Sequence, residues 1–278
     1  MNVMCDILDV TRGGYYRSLD RTPSASAVRR AQLIEQIRKA HADSRELYGS
    51  PRVTEELNAA GVPVSENTVA RLMRTHAIRS TIDRPRFRPP CTTDSNHPDP
   101  IAPNLLERNF AADRPDRKWC VDITYIPTDQ GWLYLAGVID CCSRRIVGWA
   151  MADHMRATLC LDALDMAVLH RGRPEPGLVH HSDRGSQYAC DDYRERLDTL
   201  GFTASMSGVG DCYDNAVIES FWGTLKQELV YQQPSGRFAS HAQAKRMIFE
   251  YVEVYYNRQR RHSAIGFVSP DNFEASLN

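Results

Sequence analysis

HHSDRGSQY at residues 180–188 and DNAVIESFWGTLK at residues 214–226 decide how this chain is read. In the first, the apolar run GLVHHS ends on Asp183 and a Gly-containing loop, the pattern of a short buried strand that opens onto a turn at its carboxyl end. Open α/β sheets place their ligands at such strand ends. In the second, Asp214 stands as a helix cap. Asn215, Glu219 and Lys226 follow at i, i+4 and i+11, so one helix face carries an amide, a carboxylate and a cation. A third carboxylate, Asp122, lies upstream in KWCVDITYIP at 118–127. There Trp119, Val121, Ile123 and Tyr125 alternate with Cys120, Asp122 and Thr124, as on a strand.

Taken singly, each carboxylate is ordinary. Asp122 reads as a polar strand residue, Asp183 as a turn former before Gly185, and Glu219 as a solvated helix residue. Their order along the chain makes them a set. After KWCVDITYIP, turns near 128–131 and 142–145 separate WLYLAGVID and IVGWAMAD, which predicts a three-stranded antiparallel meander. Helix is expected over 156–170, strand over 177–182, helix over 191–200, strand over 202–205, and helix from 214. The order βββαβαβα is a mixed α/β sheet with helices packed on it. Three carboxylates gathered on such a sheet need compensating charge, since otherwise at least one takes up a proton. Two Mg²⁺ ions meet that need, because Mg²⁺ prefers carboxylate oxygens together with water and substrate phosphate.

The flanks differ from this centre in charge. Lys and Arg outnumber Asp and Glu over residues 1–90 and 220–278, and the reverse holds between, although the whole chain carries a net charge of only −1. An acidic centre repels DNA phosphates until cations neutralise it, whereas basic flanks attract them. At the N-terminal side the pattern predicts a helix over 27–42 capped by Ser26, with Ile34 and Ile37 inward. A second is capped by Ser50 and buries Val53, Leu57 and Ala60 before ending at Gly61. A third, capped by Ser65, turns Val69, Leu72 and Met73 inward. The last two form a helix-turn-helix candidate whose final helix exposes Asn67, Arg71 and Arg74, side chains suited to phosphate and base edges. A helical hairpin with a solvated basic face fits the same pattern. The interleaved Arg84, Arg86 and Arg88 and Pro85, Pro89 and Pro90 predict an extended, poorly packed linker. In the tail, Ser240 and Gln243 form a capping box before an apolar stripe of Ala244, Met247, Ile248, Tyr251 and Tyr255. Arg258, Arg260 and Arg261 then read as a basic patch for a DNA backbone.

The domains expected are therefore residues 1–79 (helical), 80–112 (linker), 113–235 (catalytic core) and 236–278 (C-terminal helix and basic tail). Hydrophobic content of 42% and charged content of 25% are those of a globular protein. No apolar run is long enough to span a bilayer, so no membrane partner and a cytoplasmic location are expected. The eight cysteines include no C-x-x-C pair and no accompanying zinc-spaced histidines, so neither a disulfide frame nor a zinc site is expected. His180 and His181 are read as neutral imidazoles at the end of a buried strand.

Several motifs occur together and in order: W-x-x-D-I-T-Y, W-L-Y-L-A, S-R-x-I-V-G-W, H-H-S-D-R-G-S-Q-Y, D-N-A-x-x-E-S-F-W-x-x-L-K and Y-N-x-x-R-x-H-S-A-I-G. Residues 117–226 resemble the catalytic core of DDE transposases and retroviral integrases, which has a ribonuclease-H-like fold. The chain from about residue 10 to 275 is similar to the second-frame catalytic protein of bacterial insertion sequences, with L-Y-G-S-P-R-V at 47–53 resembling that group's helix-turn-helix region. The resemblance implies that Asp122, Asp183 and Glu219 are the catalytic and metal-binding triad, with two Mg²⁺ and Mn²⁺ as a substitute. It implies cleavage at transposon ends, then attack of a 3′-hydroxyl on a target phosphodiester. It also implies double-stranded DNA as partner, a homo-oligomer, and a nucleoid-associated bacterial protein. Lys226 would contact terminal DNA, joined by Asn215 and Gln187. The resemblance also implies an upstream-frame helix-turn-helix and leucine-zipper protein as a frameshift-fusion partner, so from the start at MNVMCDIL either a complete enzyme or the catalytic half of such a fusion is expected. The His/Cys zinc domain of retroviral integrases has no counterpart here, so no zinc is carried over. A nuclease of the same fold that cuts without joining, and a non-catalytic DNA-binding protein, remain the alternatives.

Overall fold

A computed structural model describes residues 5, 7, 11–19, 22–82, 98–208 and 212–277, so the Arg/Pro run at 84–90 lies outside the described residues. The chain divides into two compact units, Met1–Ser80 and Thr81–Asn278.

The first unit is helical: α1 (Arg12–Leu19), α2 (Ala25–Asp43), α3 (Ser50–Ala59) and α4 (Glu66–Thr75). Helix α2 starts earlier than its expected cap, because extended Ser24 rather than Ser26 accepts from the Ala27 N–H, at 3.2 Å. Ser50 is the first residue of α3 rather than its cap; Gly49 takes the cap position. Helix α3 ends as expected at Gly61, whose φ of +77° lets the Val62 N–H reach back to the Leu57 carbonyl at 2.9 Å. Ala60 is exposed at that end, not buried. Ile37, Val53, Leu57, Val69, Leu72 and Met73 form the unit's core, leaving Asn67, Arg71 and Arg74 exposed on α4.

The second unit is a five-stranded mixed sheet of order β3-β2-β1-β4-β5. The meander is β1 (Lys118–Thr128), β2 (Gly131–Asp140) and β3 (Ile146–Ala152), antiparallel throughout; β4 (Val179–Ser182) and β5 (Thr203–Met206) add in parallel beyond β1. The helices are α5 (Ala157–His170), α6 (Ser186–Ala189), α7 (Asp191–Leu200), α8 (Ala216–Leu225), α9 (His241–Phe249) and α10 (Pro270–Ala275). Two glycines set how closely helices approach the sheet. A Cβ on Gly148 would stand 2.2 Å from the Ala163 carbonyl, so α5 lies hard against β3. A Cβ on Gly137, the β2 partner of Asp122, would stand 2.7 Å from the Trp222 ring of α8.

Three sequence expectations change. Asp214 does not cap α8: it sits in a 3₁₀ turn (Cys212–Asn215), and Asn215 takes the cap position without a side-chain bond. The buried Asp214 carboxylate instead accepts from Asn104 Nδ2 (2.9 Å) and Gly208 N (2.8 Å) and pairs with Arg108 (3.4 Å). That holds the second half of the expected linker against the core, where the Leu105 N–H also donates to Ser205 Oγ at 2.9 Å. Finally, Arg260 is no surface contact. It is 4% exposed, its Nε and Nη2 donating to Glu228 at 2.8–3.0 Å while Tyr251 Oη donates to the same carboxylate at 2.8 Å. Both α8 and α9 run on into π-helical turns, Lys226–Val230 and Glu250–Tyr256. The wider turns rotate Glu228, Val252 and Tyr256 inward beside the expected stripe, where Arg260 meets Glu228.

Breaking a buried pair strands the remaining charge. Arg260→Met should therefore cost about 3–5 kcal/mol of stability in a urea titration of the full chain. A loss below about 0.5 kcal/mol, the ordinary surface value, would contradict the buried pairing.

Candidate catalytic site

The β1–β4 register pairs Lys118 with Val179, Trp119 with His180 and Cys120 with His181. Asp122 stands two residues past the last of these pairs on β1, and Asp183 directly follows the end of β4 at Ser182. Adjacent strands lie about 4.8 Å apart, so the pairing brings the two carboxylates to the same end of neighbouring strands. Asp183 is shaped locally by its own turn: the Gly185 N–H donates to its Oδ1 at 3.0 Å. A Cβ on Gly185 would stand 2.9 Å from Gln187 Oε1 and 3.0 Å from that oxygen, so a larger residue would crowd both side chains.

Helix α8 covers this pair. Its Trp222 indole N–H donates to Asp122 Oδ2 at 2.9 Å, and Asn215 Nδ2 at its start donates to the Val121 carbonyl at 3.0 Å. Glu219, one helical turn before Trp222, is the most open of the three acids.

The electrostatics show that the three sense one another. Asp122 is pushed up to about 8, first by burial and then by the Asp183 charge, with a smaller push from Glu219. Glu219 is raised by burial and then by Asp183. Lys226 is lowered by burial, with Asp122 acting in the opposite direction. This ammonium therefore shares the Asp122 environment, as its helix position implied. The donor set suits a hard divalent cation: oxygen ligands only, two of them crowded, and a proton held where a cation would relieve the repulsion. Among the described residues, however, no three His, Cys, Asp or Glu side chains stand at metal-ligating spacing. Glu219 is coupled to the aspartates without being closed onto them.

The other expected site residues fall in different places. Asn215 is 3% exposed and bound to β1, with its Oδ1 lacking a hydrogen-bond partner, so it acts inside the protein rather than toward DNA. Gln187 is half-buried, with Nε2 donating to the Met155 carbonyl at 3.1 Å. Arg258 is exposed beside Asp271 at 3.9 Å, and Arg261 donates to the Phe267 carbonyl at 2.7 Å. His180 meets Tyr193 Oη at 3.0 Å and is lowered to about 3 by burial; His181 lies 2.8 Å from Ser205 Oγ and is likewise lowered by burial. Both are neutral strand-end histidines, as expected. Trp222 escaped the sequence reading. Its spacing three residues beyond Glu219 is the one signal that could have found it, since i and i+3 share a helix face.

Family models agree with this architecture. The integrase core domain matches residues 112–212, a second integrase core model matches 200–270, and an HTH-like domain matches 29–86. The Insertion element IS600 uncharacterized 31 kDa protein of Shigella sonnei is 45% identical over 97% of each chain. Transposase InsF for insertion sequence IS3A of Escherichia coli strain K12 is 41% identical over 99% of this chain and 93% of its own. A simian T-cell lymphotropic virus intasome structure aligns over 85% of this chain and 73% of its own, at 15% identity and a TM-score of 0.48. Sheet, helices and acidic centre thus define a protein with an integrase core domain and an HTH-like domain. The chain belongs to the IS3 family of insertion-sequence transposases. Among the described residues no helix is long and apolar enough to cross a membrane.

The raised Asp122 pKa has a testable sign. An unfolded aspartate releases its proton near pH 4, whereas the folded one holds it to about pH 8. Across that window the folded state binds more protons, so this group costs stability as pH rises. In metal-free buffer, thermal melts should show Asp122→Asn gaining on wild type from pH 4 to pH 8 and no further above it. A gain independent of pH would contradict the raised pKa.

Proposed function

We propose that this transposase cuts DNA at transposon ends and joins the exposed 3′-hydroxyl to a target phosphodiester, with Asp122, Asp183 and Glu219 as its metal-binding triad. The observation that supports the reading is the mutual charge effect among the three acids, Asp183 acting on both Asp122 and Glu219 and Glu219 acting on Asp122, at the end of paired strands β1 and β4. Two Mg²⁺ ions, or Mn²⁺ in their place, would supply activation of the attacking oxygen and stabilisation of the leaving one. The chain's own groups do the rest. Asp122 and Asp183 would present carboxylate oxygens to the ions, and Glu219, exposed on α8, would complete the set. In each step one P–O bond forms and one breaks: water attacks in the cut and the 3′-hydroxyl in the joining, the attacking oxygen giving up a proton and the leaving oxygen gaining one.

DNA delivery rests on the flanking modules. In α4, Asn67, Arg71 and Arg74 lie exposed on the side away from Val69, Leu72 and Met73, as a helix that reads a duplex requires. Arg258, Arg261, Lys226 and Gln187 are the second-unit groups proposed to meet DNA. An assembly of several copies fits a reaction that holds two transposon ends and a target together.

Asp122→Ala, Asp183→Ala and Glu219→Ala should each abolish joining of a pre-cut end to supercoiled target in Mg²⁺, while gel-shift affinity for end DNA stays within a few-fold of wild type. Joining retained by any one of them would remove that residue from the triad. Cutting without joined product in the wild type would favour a hydrolytic nuclease.

A further inference from the structure

Asp122 has a neighbour that no surface or charge reading picks out. Trp222 is 5% exposed, and its indole N–H lies 2.9 Å from Asp122 Oδ2. The ring is seated by its surroundings: Gly137, paired directly with Asp122 across β1–β2, leaves the space that the ring fills. Phe221 packs on Trp222 with ring centroids 4.9 Å apart and on Tyr256 at 4.6 Å, so the π-helical segment backs the arrangement. An indole N–H is a donor only. It can neither ligate a cation nor titrate at working pH, so what it gives the carboxylate is a direction and a hydrogen bond that favours the ionised form.

We propose that Trp222 is the positioning residue of the site: its N–H fixes the plane of the Asp122 carboxylate for a divalent cation and ties Asp122 to the helix that carries Glu219. Glycine at 137 is then part of the same device, because any larger residue there would displace the ring. The proposal deepens the functional reading above and rests on Asp122 being a cation ligand.

The decisive variant replaces Trp222 with 3-benzothienylalanine, which exchanges the indole N–H for sulfur while keeping the ring's shape. Trp222→Phe serves as a second variant. Mn²⁺ binding to the full chain, without DNA, is measured by calorimetry and by the manganese electron-spin signal, beside thermal melts. Outer partners of metal ligands typically contribute about 10- to 100-fold in affinity, so about tenfold weaker Mn²⁺ binding is expected with the melting temperature nearly unchanged. End cleavage should lose turnover in parallel, with KM for DNA unaltered. Should Trp222→Phe fail to fold, the benzothienyl variant decides alone. Mn²⁺ affinity within twofold of wild type in that variant overturns the Trp222 role. Asp122→Asn separates the two readings: if it loses Mn²⁺ while the Trp222 variants keep it, only the positioning role falls. If Asp122→Asn itself binds Mn²⁺ as wild type does, the metal site falls and the role of Trp222 with it.

Discussion

One carboxylate on a central strand and another just past the end of its parallel neighbour are the constraint around which this core is built. The pairing of β1 with β4 is short, but it brings Asp122 and Asp183 close enough that burial and the Asp183 charge both oppose ionisation of Asp122. A fold optimised only for stability would place apolar residues there, as it does one position away with Val121. Keeping the acids requires rigid surroundings, and these are visible. Gly185 shapes the Asp183 turn, Gly137 admits the Trp222 ring, and Asn215 ties α8 to the strand beside Asp122. Local destabilisation held in place by its neighbours is what a charge-based active site requires.

The packing that holds α8 in place reaches well beyond the site. Ahead of it, Asp214 gathers Asn104, Arg108 and the Gly208 N–H, so the approach to the helix is anchored to the segment that precedes the sheet. Behind it, the π-helical turn carries Glu228 inward to Arg260 and Tyr251. Helix α10 is fastened separately by a bidentate pair between Arg171 and Glu274, with Asp116 on the same guanidinium at 2.8 Å. Burial raises the Glu274 pKa, but the Arg171 hydrogen bonds and charge outweigh it and leave the carboxyl low. Charged residues in this unit thus divide into a buried set that joins elements and a set that stays at the surface.

That division is where reading from sequence reached its limit. Arg258, Arg260 and Arg261 look alike in NRQRRHS, yet Arg260 is buried against a carboxylate thirty-odd positions upstream while Arg258 is exposed. Nothing in a run of like charges says which member points inward when the preceding helix contains a π turn, because the extra residue per turn shifts every later side chain. Asp214 was misread for a related reason. Asp before an apolar helix is the usual cap signal, but a 3₁₀ turn moved the helix start past it, and its side-chain partners Asn104 and Arg108 lie 110 and 106 residues upstream.

What the sequence determined by itself was periodic or local. The alternation of β1, the meander turns, the inward faces of α3 and α4 and the Gly61 terminus are short-range steric and hydrophobic preferences, written in neighbouring residues. The acidic set could be named from its motifs because residue type carries its chemistry. The tertiary structure alone decided how those acids stand relative to one another. The β1–β4 register, the close approach that two glycines permit, and the indole that reaches Asp122 are contacts between distant segments. Which segments meet is fixed by the packing of the whole core, where burial and close contact are shared among all of them and belong to no single stretch of sequence.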